Sequence, residues 1–230
     1  MDKSAVILAG GITAQAVSEL EGKPLLNYVV NAIGNLVDEI IVVVDSQECA
    51  DAYTKLVEPD IKFVVNPAPC EGKLSEALAG FEASKGEYTL VLPAGSPFVS
   101  ADLLSLLFEC APGKAAVVPR WTNQEPETLH AVYNTAMAIE AAKAVLCEGR
   151  ADMAAMVDKL RGVRYLSTLV IEQIDPEFRS FFTAITPADL RKASAMSKPK
   201  AALKTKNRTK ALPKTFRKPK GRIPKDKYKK

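Results

Sequence analysis

Two glycines at the end of an apolar run, and a lysine at the head of a helical pattern, are the residues of this chain whose types and spacing can do chemistry. That chemistry is the holding of phosphate. Ala5-Val6-Ile7-Leu8 suits a strand buried on both faces, and Gly10-Gly11, just after Leu8 and Ala9, lets the backbone turn sharply. With no side chains there, an anion can approach the main chain, and the N–H groups of Gly10, Gly11 and Ile12 become donors. Lys23 supplies a full positive charge. Pro24 suits the first position of a helix whose apolar residues Leu25, Leu26, Val29, Val30 and Ile33 recur at helical spacing, so Lys23 is expected at a helix N-terminus that favours anions. The same residues also read as a plain strand-to-helix turn with a solvated lysine, and spacing alone leaves both readings open.

The elements that must position this turn alternate. Ile40 to Val44, Lys62 to Val65, Tyr88 to Leu92 and Ala115 to Val118 read as strands, with helical patterns at Ser46 to Leu56, Lys73 to Ser84 and Ser100 to Cys110. Alternation of this kind predicts an α/β fold with a mostly parallel sheet between helices. Ligands of such sheets sit outside the carboxyl ends of the strands, near the switch in strand order. The Gly10-Gly11 loop and the Ala94-Gly95-Ser96 loop both follow strands, so both are expected on that edge. Two alanine-rich helical stretches follow, Thr135 to Cys147 and Ala151 to Leu160, then a strand around Val163 to Leu166 and a last helix from Pro187.

Five segments in order, covering roughly residues 4 to 195, resemble the molybdenum cofactor guanylyltransferases within the wider group of nucleotidyltransferases. They are Leu8-Ala9-Gly10-Gly11 with Gly22-Lys23-Pro24-Leu25-Leu26, then Leu90 to Phe98, then Ala116 to Arg120, then Glu125-Pro126 with Leu129 to Tyr133, and Thr186 to Leu190. The resemblance implies a three-layer α/β/α Rossmann-like fold, GTP or another nucleoside triphosphate, a phosphorylated pterin-type acceptor and magnesium. It further implies Lys23 as the catalytic cation, and Leu8, Ala9, Gly10, Gly11, Thr13, Lys23, Asn66 and Gly95 as the nucleotide site. Glu125 and His130 fall on the acceptor side. Side-chain identity leaves the choice of base open.

The chain departs from the family pattern at places that bear on chemistry. Gln15 stands where the family carries an arginine, and Gly95 where it carries a magnesium-binding aspartate. An asparagine near the closing motif is replaced by Thr183 or Ile185, according to alignment. Magnesium needs oxygen ligands, and a forked guanidinium binds phosphate through two bonds, so these changes weaken the expected site. Asp45 and Asp102 are the carboxylates available to replace the metal ligand; each also reads as an ordinary loop or first-turn residue. The alternative to an enzyme is therefore a degenerate nucleotide-binding protein of the same fold.

His130 is the one histidine of the chain, which argues against His-rich metal sites and hydrolase triads. Trp121, near Glu125, reads either as a contact for a planar acceptor or as packing. The cysteines at 49, 70, 110 and 147 lack metal-ligand spacing and read as reduced thiols, which, with no signal peptide or membrane-spanning run, predicts a cytoplasmic protein; Cys70-Glu71-Gly72-Lys73 reads as a loop facing the nucleotide or as one carrying a bystander thiol.

Charge divides the chain. Residues 198–230 hold 15 of the 31 Lys and Arg and one of the 27 acids, leaving 16 bases against 26 acids in the body. Residues 1–196 are expected to form one nucleotidyltransferase domain, and 197–230 a disordered Lys/Pro-rich arm with too few apolar residues to fold. Such an arm reads as a nonspecific contact for nucleic-acid phosphates, an attachment to acidic lipid headgroups, a strap on the acidic body, or a solubilising tail. Its aromatics, Phe216 and Tyr228, are too sparse to indicate base stacking.

Overall fold

The structure, a computed structural model, describes residues 2–10, 19–57, 61–66 and 72–198. Expectations for Gly11, Ile12, Thr13, Gln15, Cys70 and the basic tail lie outside the described residues.

Six parallel strands and one antiparallel strand build the central sheet, in the order β5-β4-β1-β6-β8-β7-β9. These are β1 (Lys3–Leu8), β4 (Glu39–Val44), β5 (Lys62–Val65), β6 (Tyr88–Pro93), β7 (Ala116–Arg120), β8 (Ala131–Asn134) and β9 (Val163–Ser167). A two-stranded ribbon of β2 (Glu19–Leu20) and β3 (Lys23–Pro24) stands apart from it.

Period-2 alternation divides the aliphatic residues of the strands between two cores. Ala5 and Ile7 of β1 pack with α1 (Leu25–Ile33), α2 (Gln47–Thr54) and α4 (Ala101–Glu109) on one face. Val6 and Leu8 pack with α3 (Lys73–Ala83), α5 (Thr135–Cys147) and α6 (Met153–Lys159) on the other. This is the expected three-layer α/β/α arrangement. In α1 the residues Leu25, Leu26, Val29 and Ile33 are buried, each contributing about 1.5–3 kcal/mol. On the opposite face, Gly80 of α3 lies against Val6, so a side chain there would drive the helix from the sheet.

Strand order reverses beside β1. The chain moves outward from β1 to β4 and β5, then returns to place β6 on the other side of β1. The turns after β1 and β6 therefore flank the switch point, and Ala94 N–H donates to the Leu8 carbonyl across it at 2.9 Å.

Two features add to the sequence expectations and one, at Lys23-Pro24, differs from them. β8 is antiparallel, and its apolar run carries no mark of direction. Lys23-Pro24 pairs with Glu19-Leu20 as ribbon, so the helix starts at Leu25 with Pro24 as its N-cap. A short helix α7 (Thr168–Ile171) and a 3-10 turn at Arg179–Phe181 precede α8 (Pro187–Ser197), whose capping box joins Thr186 and Asp189.

Candidate functional site

The carboxyl ends of β1, β4, β5, β6 and β7 face one edge, and with them Gly10, Asp45, Asn66, Gly95 and Arg120. His130 joins them because β8 runs the other way and starts there.

Gly10 does not present a bare amide. Its N–H donates to Glu76 Oε1 at 2.7 Å, while Lys73 Nζ donates to the Gly10 carbonyl and to Glu76 Oε2, both at 2.7 Å. Gly10 also lies against Asp45, leaving no space for a Cβ. Glu76 is only 4% exposed, and burial is the main cause that raises its carboxyl above the ordinary glutamate range, against the pull of Lys73 and the Gly10 amide. Lys73 and Glu76 are placed by α3, whose N-cap Gly72 has φ +133° and packs against the Ala151 carbonyl. Asn66 is buried next to them, its side-chain N–H₂ 3.4 Å from Ser75 Oγ.

Lys23 points elsewhere. Its ammonium stands 5.1 Å over the Tyr28 ring, and the Asn31 side-chain oxygen accepts from it once that amide is oriented to satisfy both its partners. Tyr28 in turn donates to the Leu20 carbonyl at 2.8 Å, so ribbon and helix share one polar contact set. Among the described residues, the cation bonded to the glycine turn is Lys73.

At the second loop, Gly95 is covered. Its carbonyl accepts from Ala184 N–H at 2.8 Å, and a Cβ at Gly95 would meet the Ala184 carbonyl oxygen at 2.8 Å and Thr183 Cγ2 at 3.2 Å. Of the two closing-motif residues, Thr183 is the one at this loop: its hydroxyl lies 3.1 Å from Ser96 Oγ, whereas Ile185 is exposed. Ser96 Oγ is 3.1 Å from His130 Nε2, and His130 Nδ1 is 3.3 Å from Glu127 Oε1. With the carboxylate as acceptor, the network puts the imidazole proton on Nδ1 and lets Nε2 accept from Ser96. Ser96 has 0% exposure, so this Ser-His-Glu series braces the two loops and offers no accessible nucleophile.

Glu125 is exposed in the turn between β7 and β8, where Trp121 N–H donates to its carbonyl at 2.9 Å. Trp121 packs against Phe178 and Phe181, with centroids at 5.4 and 5.3 Å, which favours the packing reading. Asp102 is exposed in the first turn of α4, whereas Asp45 adjoins Gly10.

The magnesium that the resemblance implies finds a poor fit at the second loop. Gly95 supplies no ligand, the closing segment fills the space a side chain would need, and no group of three or more His, Cys, Asp or Glu converges among the described residues. Nor is any helix among those residues long and apolar enough to cross a membrane.

Sequence reading missed Glu76 and Glu127 as members of the site, and reached Lys73 only as the end of the Cys70-Glu71-Gly72-Lys73 stretch. Lys73 and Glu76 are three apart at the start of a helix, so their pairing was legible locally. Their meeting with Gly10 depends on the packing of α3 beside β1.

A glycine turn at the switch point of a three-layer α/β/α fold, with Ser96, His130, Glu127 and Thr183 bracing the neighbouring loops, belongs here to a protein of the nucleotidyltransferase class. The MobA-like NTP transferase domain matches residues 5–163, and the chain belongs to that family. It is 31% identical over 211 residues to a probable molybdenum cofactor guanylyltransferase of Methanosarcina mazei, covering 87% of this chain and 94% of the relative. A protein of the same name from Methanosarcina acetivorans is 32% identical over 199 residues, covering 82% and 88%. Among solved structures, the molybdopterin-guanine dinucleotide biosynthesis protein A of Archaeoglobus fulgidus superposes with TM-score 0.70 at 22% identity, covering 84% of this chain and 97% of that one. The 2-C-methyl-D-erythritol 4-phosphate cytidylyltransferase of Thermus thermophilus gives 0.64 at 20%, covering 85% and 98%. At these identities the structural likeness bears on the fold.

Proposed function

We propose that this chain is a guanylyltransferase, transferring GMP from GTP to the phosphate of a molybdopterin-type acceptor. The observation that carries the reading is the similarity of nearly the whole folded body to the Methanosarcina relatives, joined to a glycine turn at the switch point. An acceptor phosphate oxygen attacks the α-phosphorus of GTP, the bond to the bridging oxygen breaks, and pyrophosphate leaves with the electron pair. The attacking phosphate is already ionised, so no protein base is required, and catalysis consists of positioning and charge neutralisation. In this reading Leu8, Ala9, Gly10, Gly11, Thr13, Asn66 and Gly95 lie on the nucleotide side, Lys23 supplies positive charge, and Glu125 with His130 lies on the acceptor side. No step is assigned to a protein-bound metal, because Gly95 and its neighbours do not form one.

A second reading, nucleotide binding without turnover, is favoured by the covering of Gly95 by Thr183 and Ala184. In either reading the basic segment 198–230 is a polyanion contact set apart by its charge. Calorimetric titration of the full chain with GTP, ATP, CTP and UTP, with and without magnesium, followed by a single-turnover assay for pyrophosphate with the pterin acceptor, separates the readings. Selective GTP binding with pyrophosphate release supports the enzyme. Selective binding without release supports the degenerate member, and failure of every nucleotide to bind refutes both.

A further inference from the structure

We infer that Lys73 is a triphosphate-binding residue of this chain and that the Glu76 carboxylate holds, in the free protein, the place a phosphate oxygen takes on the Gly10 amide. The inference rests on the nucleotide-binding reading above and specifies it residue by residue.

The geometry has three parts. Gly10 N–H, in the turn that follows β1 at the switch point, is bonded at 2.7 Å to a carboxyl oxygen, Glu76 Oε1. The amide is thus already aimed at an oxygen acceptor of the kind a phosphate carries. Lys73 Nζ closes the arrangement, bonded at 2.7 Å to both the Gly10 carbonyl and Glu76 Oε2, so ammonium, amide and carboxylate form one ring. The ammonium is anchored to the turn itself, whereas that of Lys23 is engaged with Tyr28 and Asn31.

Access differs between the two members of the pair. The Lys73 side chain is 36% exposed and Glu76 only 5%, so an incoming oligophosphate meets the ammonium first and displaces the carboxylate second. Burial already disfavours the charged form of Glu76, which lowers the cost of removing it from the amide. Lys73 is also the first residue of α3, an eleven-residue helix whose N-terminal dipole favours the same anion. Gly72 fixes that position by packing without a side chain against Ala151. The ligand chemistry is an oligophosphate chain, held by one amide and one point charge; the base plays no part.

Inorganic tripolyphosphate is therefore the probe, titrated calorimetrically into the full-length protein without divalent metal, with GTP titrated in parallel. Lys73→Met is expected to weaken both ligands tenfold or more, and Lys73→Arg to recover most of the loss. Glu76→Gln is expected to tighten tripolyphosphate severalfold, since a neutral amide competes less well for Gly10. Lys143→Met removes a lysine of the same charge that pairs with Glu82 on the helical face and is expected to bind as wild type does. Thermal melting of each variant checks the fold, and Lys73→Arg keeps the test valid if Lys73→Met unfolds. Loss in Lys73→Met no greater than in Lys143→Met overturns the inference, as does weaker binding in Glu76→Gln. Wild type that binds GTP but not tripolyphosphate also overturns it, leaving the guanylyltransferase reading intact. The expected pattern with no GMP transfer upholds the inference and sinks that reading.

Discussion

Ser96 Oγ and His130 Nε2 lie 3.1 Å apart although the residues are 34 positions apart in the chain, and this contact joins the loop after β6 to the start of β8. It continues to Thr183 on one side and Glu127 on the other, so three segments of the carboxyl edge share one polar series. His130 also packs edge-on against Phe181 at 5.4 Å. Removing the imidazole leaves a cavity and takes a partner from a buried hydroxyl. His130→Ala is expected to cost about 2–4 kcal/mol in urea unfolding. A cost below about 0.5 kcal/mol would show that the series does not brace the loops.

Gly95 sets a limit on restoring a metal ligand. By resemblance alone, Gly95→Asp should recover one, but the new Cβ would stand 2.8 Å from the Ala184 carbonyl oxygen, which belongs to backbone and cannot rotate away. The substitution is expected to lower stability by about 1–3 kcal/mol through displacement of the closing segment. It is not expected to gain magnesium-dependent turnover. Thermal melting with and without magnesium checks this, and a magnesium-dependent rise in the midpoint above wild type would contradict it.

Gly72→Ala tests how α3 is aimed. Its φ of +133° is strained for any L side chain, and the Ala151 carbonyl closes the space besides. Loss of about 2 kcal/mol or more is expected. Because Lys73 is the next residue, weaker nucleotide binding should accompany it; unchanged binding with lowered stability would separate the two effects.

Much of this was legible from sequence, for identifiable reasons. The sheet and its helices followed from aliphatic runs such as Ile40 to Val44 alternating with helical patterns, because burial on two faces leaves a continuous apolar signature. The helix starts expected at Ser46 and Pro187 fell within a residue of those observed, where the Ser46 and Thr186 hydroxyls accept first-turn amides. The direction of β8 was hidden, since Ala131 to Tyr133 is buried whichever way it runs. The site was half legible: Gly10 and Gly95 fell on the expected edge, but whether a lysine reaches it depends on side-chain direction, not position. Lys23 turns along α1 toward Tyr28 and Asn31, and Lys73 arrives by helix packing from 63 residues away.

The buried Glu76 gives the pH dependence its sign. Desolvation, with the Asp45 charge adding to it, raises its carboxyl above the ordinary glutamate range against the pull of Lys73 and the Gly10 amide. A group whose folded value is raised binds its proton more tightly in the native state than in the unfolded one. Its contribution to stability is therefore complete below pH 4.5 and is lost as the pH rises through the raised folded value. Glu76→Gln removes this titration while keeping an acceptor for Gly10 N–H. In urea unfolding at a series of pH values, the wild type should lose stability relative to Glu76→Gln as the pH climbs from the ordinary glutamate range toward neutrality. A difference that runs the other way would mean that the Lys73 and Gly10 contacts outweigh burial, and that Glu76 is held as a firmly ionised partner which an incoming phosphate would struggle to displace.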